Sequence, residues 1–366
     1  MKLKKIEISN FRNINDLEYT PAPGLNVFIG DNAQGKTNIL EAIFVLATGN
    51  SFRTNNDRLM IQHEENSFNL KGFHLTEDRT ISTEIDYHLN RGKQIKINSK
   101  KTTHNNQNRL RVVVFTPDDL YLVKGSPSRR RNYIDYILKE VSNEYRLSVD
   151  NYYKILRKRN ELLKKSPINE STYSLLSELF IEYSAKIITA RINFINLLDS
   201  LVAKNFSQLN QQAGTIKIKY ALSFPHKDEK VNYKTLTENL IKHLEENKQN
   251  EIRRKNTLAG PHLDDINIYL NNKPARLFAS QGQQRNIAVS LKISEVHAFK
   301  ELSNFYPVFL LDEVLAEFDD QRKSSLLKQI SSSEYQSFLT SVVNDMISSF
   351  EGKISIVKNG EIVRNS

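Results

Sequence analysis

Hydrophobic and polar positions along the chain alternate with two different periods, and the switches between them lay out its elements. Leu3, Ile6 and Ile8 mark an amphipathic first strand, followed by polar turns at Asn10, Phe11, Arg12 and Asn13 and at Pro21, Ala22, Pro23 and Gly24. Residues 25–29 are a short apolar strand. In residues 38–48, Ile39, Leu40, Ile43, Phe44 and Leu46 are apolar at helical spacing, and Gly49 is placed to end that helix. Residues 80–87 and 93–97 repeat every second position around a turn at Asn90, Arg91 and Gly92, whereas 111–115 is continuously apolar, as in a buried strand. Near residue 124 the period becomes helical. Tyr133, Ile134, Ile137 and Leu138 form one apolar face. Residues 142–212 follow as two helices divided at Ser166 and Pro167, striped first by Tyr145, Val149, Tyr152, Tyr153 and Leu156, then by Leu175, Leu176, Leu179, Ile187 and Ile188. Residues 216–220 alternate again, a charged helix covers roughly 234–255, and 266–278 read as a hairpin. A helix from 280 to about 300, a buried strand at 308–313, a helix at 322–330, a strand at 336–341 and a hairpin around Asn359 and Gly360 complete the order.

This order predicts an α/β protein with an inserted helical subdomain: residues 1–123 and 256–366 form the α/β part, and 124–255 form a helical arm or lid. The 366 residues suffice for two domains. Lys and Arg number 52 against 42 Asp and Glu, a formal charge of +10, which favours an acidic partner, nucleic acid before a membrane surface. The sequence has no cysteine, which excludes disulfides and Cys-ligated metal sites and suits a reducing compartment. The first residues carry charge where a signal peptide needs an apolar core, and no apolar run approaches the ~20 residues of a membrane span. A soluble, cytoplasmic protein is expected.

Between the strand at 25–29 and the helix that follows lie Gly30, Asp31, Asn32, Ala33, Gln34, Gly35, Lys36 and Thr37, which fit G-x-x-x-x-G-K-[ST] at every fixed position. The glycines let the backbone curl around an anion, and the loop N–H groups and helix N-terminus point at phosphates. Lys36 is placed for the β/γ-phosphates and the Thr37 hydroxyl for Mg2+. Two further pieces follow. Ser280, Gln281, Gly282 and Gln283 open a helix with a capping serine and a glycine that admits a phosphate. Asp312 and Glu313 end a buried strand; Asp312 suits a Mg2+ water shell, and Glu313 suits orienting or deprotonating an attacking water. Arg53 and the run Arg129, Arg130 and Arg131 are candidate phosphate contacts, or else solvated charge.

The P-loop, the Ser280–Gln283 segment, the Leu310, Leu311, Asp312, Glu313 run and Asp319 after Ala316, Glu317 and Phe318 together resemble ABC-type ATPases, more narrowly their SMC/Rad50-like group. The opening run of residues 5–13 is similar to that of the RecF family of bacterial recombination mediators. So are Leu40, Glu41, Ala42 and Ile43, residues 49–53, 116–120, 125–131 and 260–265. The likeness spans nearly the whole chain. It implies an ABC-type P-loop ATPase head in which residues 30–37 with Asn38 hold ATP, Thr37 and Asp312 serve Mg2+, and Glu313 is the catalytic base. Ser280, Gly282 and Gln283 then act on the ATP of a second subunit in a head-to-tail dimer, and Asp319 crosses that interface. The resemblance further implies binding of DNA at single-stranded gaps, RecO- and RecR-type partners, and help in loading the recombinase, with hydrolysis as the release step. A transport ATPase fits poorly with the charge and the lack of membrane segments. An SMC-like ATPase driving a partner nuclease is the other reading. Two departures from the ABC pattern stand out: no glutamine occurs at Phe115, Thr116, Pro117 and Asp118, and no histidine in residues 341–345. Slow hydrolysis is the expected consequence.

Overall fold

The computed structural model describes residues 1–76, 79–103, 108–209, 214–226, 232–342 and 351–365. In chain order its strands are β1 (Lys2–Phe11), β2 (Ile14–Tyr19), β3 (Leu25–Ile29), β4 (Ser67–Thr76), β5 (Arg79–His88), β6 (Gly92–Ile97), β7 (Lys100–Thr102), β8 (Val112–Phe115), β9 (Ile216–Ala221), β10 (Asp265–Leu270), β11 (Lys273–Pro274), β12 (Val308–Leu311), β13 (Ser337–Ser341), β14 (Lys353–Lys358) and β15 (Glu361–Asn365). The helices are α1 (Lys36–Thr48), α2 (Tyr121–Lys124), α3 (Pro127–Val141), α4 (Asn143–Leu162), α5 (Glu170–Leu209), α6 (Tyr233–Arg254), α7 (Ala275–Phe278), α8 (Gln281–Ser303) and α9 (Asp320–Ser331).

The chain forms two compact units. The first comprises Met1–Asp119, Gln208–Gln211 and Glu295–Ser366; the second comprises Leu120–Ser207 and Gln212–Ser294. In the first unit, β2-β1-β4-β5-β6-β7 make an antiparallel sheet and β15-β14-β3-β13-β12-β8 a second sheet. Strands β14, β3, β13, β12 and β8 run parallel to their neighbours, and β15 closes the edge antiparallel. The parallel strands β3, β12 and β13 are buried at every residue; β12 reads as a continuous apolar run, whereas β3 carries Asn26 and β13 carries Ser337, Thr340 and Ser341 within the buried layer. One core joins Ile6 and Ile8 of the first sheet, Ile39, Leu40 and Ile43 of α1, and Phe28, Leu310 and Phe338 of the second. Helix α1 thus buries its apolar residues against both sheets.

The second unit packs α3, α4, α5 and α6 with the small antiparallel sheet β11-β10-β9. Two buried arginines knit it together. Arg191 bonds both carboxylate oxygens of Asp135 at 2.9 Å and the Pro261 carbonyl at 2.6 Å. Arg159 bonds Glu251 at 2.6 Å, Thr257 at 2.7 Å and the Tyr173 hydroxyl at 2.9 Å.

The two units divide the chain differently from the sequence reading, which groups residues 256–294 with the α/β part. Pairing explains the difference. Strand β10 is in register with β9 from Asp265↔Ala221 to Leu270↔Ile216, and Arg130 grips Asp265 through two hydrogen bonds at 2.8 and 2.9 Å. These long-range contacts bind 256–294 to the helices that precede it. Other local expectations are corrected too. Arg276, Leu277 and Phe278 form the short helix α7 rather than a strand, because β11 pairs with β10 only through Lys273 and Pro274. Tyr153 and Leu175 lie on the apolar stripes but are exposed, whereas Tyr145, Tyr152 and Leu156 are core.

His74 in the first unit, which is buried, and His262 in the second, which is half-buried, both have a lowered pKa. Burial, the main cause, pushes the His74 and His262 imidazoles down to about 4. Both fold neutral, while an unfolded chain takes up a proton below about pH 6.5. The stability each contributes is therefore full above about 6.5 and is lost as pH falls toward 4. Thermal melts are expected to give a constant midpoint above neutrality and a progressive drop across that window, with His262→Gln flattening part of it.

Candidate functional site

Strand β3 delivers the chain to residues 30–37 and α1 leaves them, so the loop is clamped between a buried strand and a buried helix. Ala33 and Gly35 have φ of 64° and 109°. Gly35 is the N-cap of α1, and the helix has no acidic residue in its first turn. Its N-terminal N–H groups and dipole are left for an external anion. A Cβ at Gly30 would run into the Val357 carbonyl oxygen; one at Gly35 would stand 2.9 Å from Asn13 Oδ1 and 3.1 Å from Gly360 Cα. Gly35→Ala is accordingly expected to strain the loop by about 1–3 kcal/mol. It should abolish nucleotide binding in a fluorescence titration while the melting temperature falls only modestly.

Lys36 is largely buried, and its Nζ donates to the Gly30 and Asp31 carbonyl oxygens, both at 2.7 Å. Burial lowers its pKa, opposed by Glu313, Asp312 and Asp31. Thr37 Oγ1 donates to Asp312 Oδ1 at 2.8 Å, and Thr340 Oγ1 donates to the same oxygen at 2.9 Å. The Glu313 N–H then donates to Thr340 Oγ1 at 2.9 Å. The parallel register explains this meeting, since β13 lies between β3 and β12 and carries Thr340 to the strand ends where residues 30–37 and Asp312 emerge. Thr340 is a site residue that sequence reading missed; Ser337 and Ser341 carry hydroxyls in the same buried strand, so nothing local singles it out. Burial pushes the Asp312 carboxyl above the ordinary carboxylate value, Glu313 adds to this, and the Thr37 and Thr340 hydroxyls work against it. Glu313 itself is exposed, with φ of 52°.

A buried carboxylate and a hydroxyl 2.8 Å apart at the phosphate loop are hard oxygen donors suited to Mg2+. Among the described residues no group of three or more His, Cys, Asp or Glu could hold a metal by itself. The donor set fits an ion that takes its remaining ligands from a triphosphate and water. Asp312 N–H also donates to the Phe115 carbonyl at 3.0 Å, and the turn after Phe115 is closed by the Asp119 carboxylate, which accepts from the Thr116 N–H at 2.8 Å.

The surroundings of the loop hold a second network that the sequence did not reveal. Glu41 is fully buried on α1 and accepts from Arg12 at 2.6 and 3.0 Å, Ser51 at 2.5 Å and Arg53 at 3.1 Å. Arg53 also donates to Asn38 at 2.7 Å, and Asn38 to Asn13 at 2.8 Å. Arg53 is thus tied to the P-loop helix. A glutamate within an apolar helical face was the available signal. Gln34 is braced from the far end of the chain: its Oε1 accepts from the Asn359 N–H and its carbonyl from the Gly360 N–H, both at 2.8 Å.

Asp319 is exposed and caps α9, accepting from the Arg322 N–H at 2.9 Å. Ser280, Gly282 and Gln283 belong to the second unit. Ser280 Oγ accepts from the Gln283 N–H at 3.3 Å and Gln283 Oε1 accepts from the Ser280 N–H at 2.9 Å, a reciprocal capping box at the start of α8. Both side chains remain exposed. The basic run is partly spent on structure, with Arg130 on Asp265 and Arg131 on the Asp264 carbonyl at 2.6 Å. Arg129 is exposed, over the Tyr121 ring. Of residues 341–345, where a histidine is missing from the ABC pattern, 343–345 lie outside the described residues.

A P-loop helix held between two sheets, with a strand-end aspartate against the P-loop threonine, defines a P-loop ATPase head of the SMC type. The profile described as "RecF/RecN/SMC N terminal domain" matches residues 2–364. The chain belongs to that family and, within it, to the RecF group. It is 37% identical over 367 residues to the DNA replication and repair protein RecF of Streptococcus thermophilus, covering 99% of this chain and 98% of that one. It is 35% identical over 375 residues to RecF of Natranaerobius thermophilus, covering 100% and 96%. Among solved structures, the recombination mediator protein RecF-ATP in the RecFOR pathway superposes with a TM-score of 0.85 at 30% identity, covering 100% of this chain and 97% of that one. An Smc head domain from Pyrococcus furiosus superposes at 0.59 with 16% identity, covering 100% and 96%, and shows the shared fold.

Proposed function

We propose that the chain is a weak, Mg2+-dependent ATPase that uses ATP as a switch for holding DNA. Residues 30–38 bind the triphosphate, with Lys36 turning from the loop carbonyls to the phosphates. Thr37 and Asp312 would hold Mg2+, which supplies charge neutralisation at the phosphates. Glu313 aligns a water and accepts its proton. Ser280, Gly282 and Gln283 complete the pocket of a second copy, and Asp319 lies on the same interface, so ATP closes a homodimer and hydrolysis reopens it. The single observation that carries this reading is the bonding of Thr37 and Thr340 to one oxygen of Asp312 beside the loop lysine. The exposed Ser280 and Gln283 and the RecF-ATP relative support it.

The chain's +10 charge supports a nucleic-acid partner. The relatives' naming as DNA replication and repair proteins supports DNA as the target, and the RecFOR pathway of the solved structure supports RecO- and RecR-type partners. Gapped or single-stranded DNA as the substrate and recombinase loading as the outcome follow from the RecF resemblance. Among the described residues no helix is long and apolar enough to cross a membrane, which agrees with a cytoplasmic role.

Sedimentation tests the proposal directly. ATP with Mg2+ is expected to convert monomer to dimer and to bring gapped duplex into the sedimenting complex ahead of intact duplex, with affinity falling steeply as salt rises. A protein that stays monomeric in ATP, or binds DNA equally with and without it, would refute the switch.

A further inference from the structure

The second unit contains a cavity of about 590 Å3 between α5 and α6 that the ATPase reading does not use. Its floor is apolar and held in place. Tyr173 and Leu244 are buried there, and the Tyr173 hydroxyl accepts from Arg159 at 2.9 Å. Arg159 is fixed in turn by Glu251 at 2.6 Å and by Ser177, itself part of the cavity wall, at 3.2 Å. A wall that rests on a fully buried ion pair is shaped before any ligand arrives. Tyr233 and Ile241 nevertheless stay 45% and 36% exposed at the cavity, so large apolar side chains are left facing water.

Charge says what covers them. Among the described residues the cavity is bordered by Glu170, Glu178, Glu182 and Glu245 against the one cation Lys248. Lys248 is occupied by Glu170 at 2.7 Å, and Glu182 by Lys186 at 2.6 Å. Glu178 and Glu245 are exposed and make no ion pair among the described residues. This local negative field sits in a chain of formal charge +10 and repels nucleic acid. A cationic segment with an apolar side satisfies both features at once. We infer that the α5–α6 cavity is a docking site for a partner protein, which enters it with an amphipathic segment bearing Lys or Arg beside apolar anchors. The inference stands independently of the nucleotide and DNA readings.

A fluorescein-labelled helical peptide of about 18 residues, with leucines at i, i+3, i+4 and i+7 spacing and lysines elsewhere, is the probe. Titrated with the full chain in an anisotropy assay, it is expected to bind saturably. Glu178→Lys with Glu245→Lys should weaken it at least about tenfold, and Ile241→Ser by about threefold or more. The same peptide with glutamate for each lysine should not bind. All three substituted side chains are exposed, and circular dichroism with a thermal melt verifies that the variants fold. Equal affinity for the charge variant and the wild type, or no binding by the wild type, overturns the inference. Concentration-dependent self-association of the wild type that the double variant abolishes also overturns it, because the occupant would then be a second copy.

Discussion

Glu313→Gln is expected to leave ATP binding intact and to slow hydrolysis by about 10²–10⁴-fold. The residue is well suited to so clean a change. Its side chain is exposed, so the neutral amide adds no desolvation cost. The structural bond at this position comes from its backbone N–H to Thr340, which the substitution does not touch. Asp312, Thr37 and Lys36 stay as they are, and the nucleotide is still gripped. With release blocked, the ATP-bound dimer should accumulate and stay on DNA, visible as a persistent fast-sedimenting species and a single-turnover rate near background. A variant that hydrolyses at the wild-type rate would remove Glu313 from the chemistry and point to another group at the ends of β12 and β13.

The largest stability effect is expected at the buried pair Arg159–Glu251. Both side chains are fully buried, and Glu251 spends its second oxygen on the Leu258 N–H at 2.9 Å. Glu251→Gln keeps the shape but leaves the guanidinium without a counter-charge in a dry site. The cost is about 3–5 kcal/mol, or a fall of roughly 10 °C in the unfolding of the second unit. The double replacement Arg159→Met with Glu251→Leu should recover much of that loss, since it removes the stranded charge together with its partner. Calorimetry of the three proteins decides the matter. If the single and double variants melt alike, the pair is not the source of the stability.

The phosphate loop and its flanking elements were legible because local pattern dictates them: a motif of fixed spacing, an apolar strand before it and an amphipathic helix after it. The strands at Val112–Phe115 and Val308–Leu311 were legible because burial in a parallel sheet demands continuous apolar runs. What escaped depends on residues far apart in sequence. Thr340 becomes part of the site through strand order, and strand order is not written in any window of the sequence. Arg12 and Arg53 carry no mark of their partner one at a time, and they close a network on Glu41 only once α1 is buried between two sheets. The run at Arg129–Arg131 shows a role that neither sequence alternative, phosphate contact or solvated charge, included. A dense cluster of cations reads as a binding surface, yet Arg130 and Arg131 hold the Asp264–Asp265 strand end in place.

The bond from Asn359 to Gln34 joins positions 325 residues apart. On the ribosome, residues 30–37 emerge early, but the hairpin turn that braces them does not exist until synthesis has passed residue 360. A half-made chain therefore exposes the phosphate-binding sequence without its support, and should hold nucleotide poorly. Support for the loop is thus completed late in synthesis, and a chain cut short before residue 359 is expected to show weakened nucleotide binding in a titration.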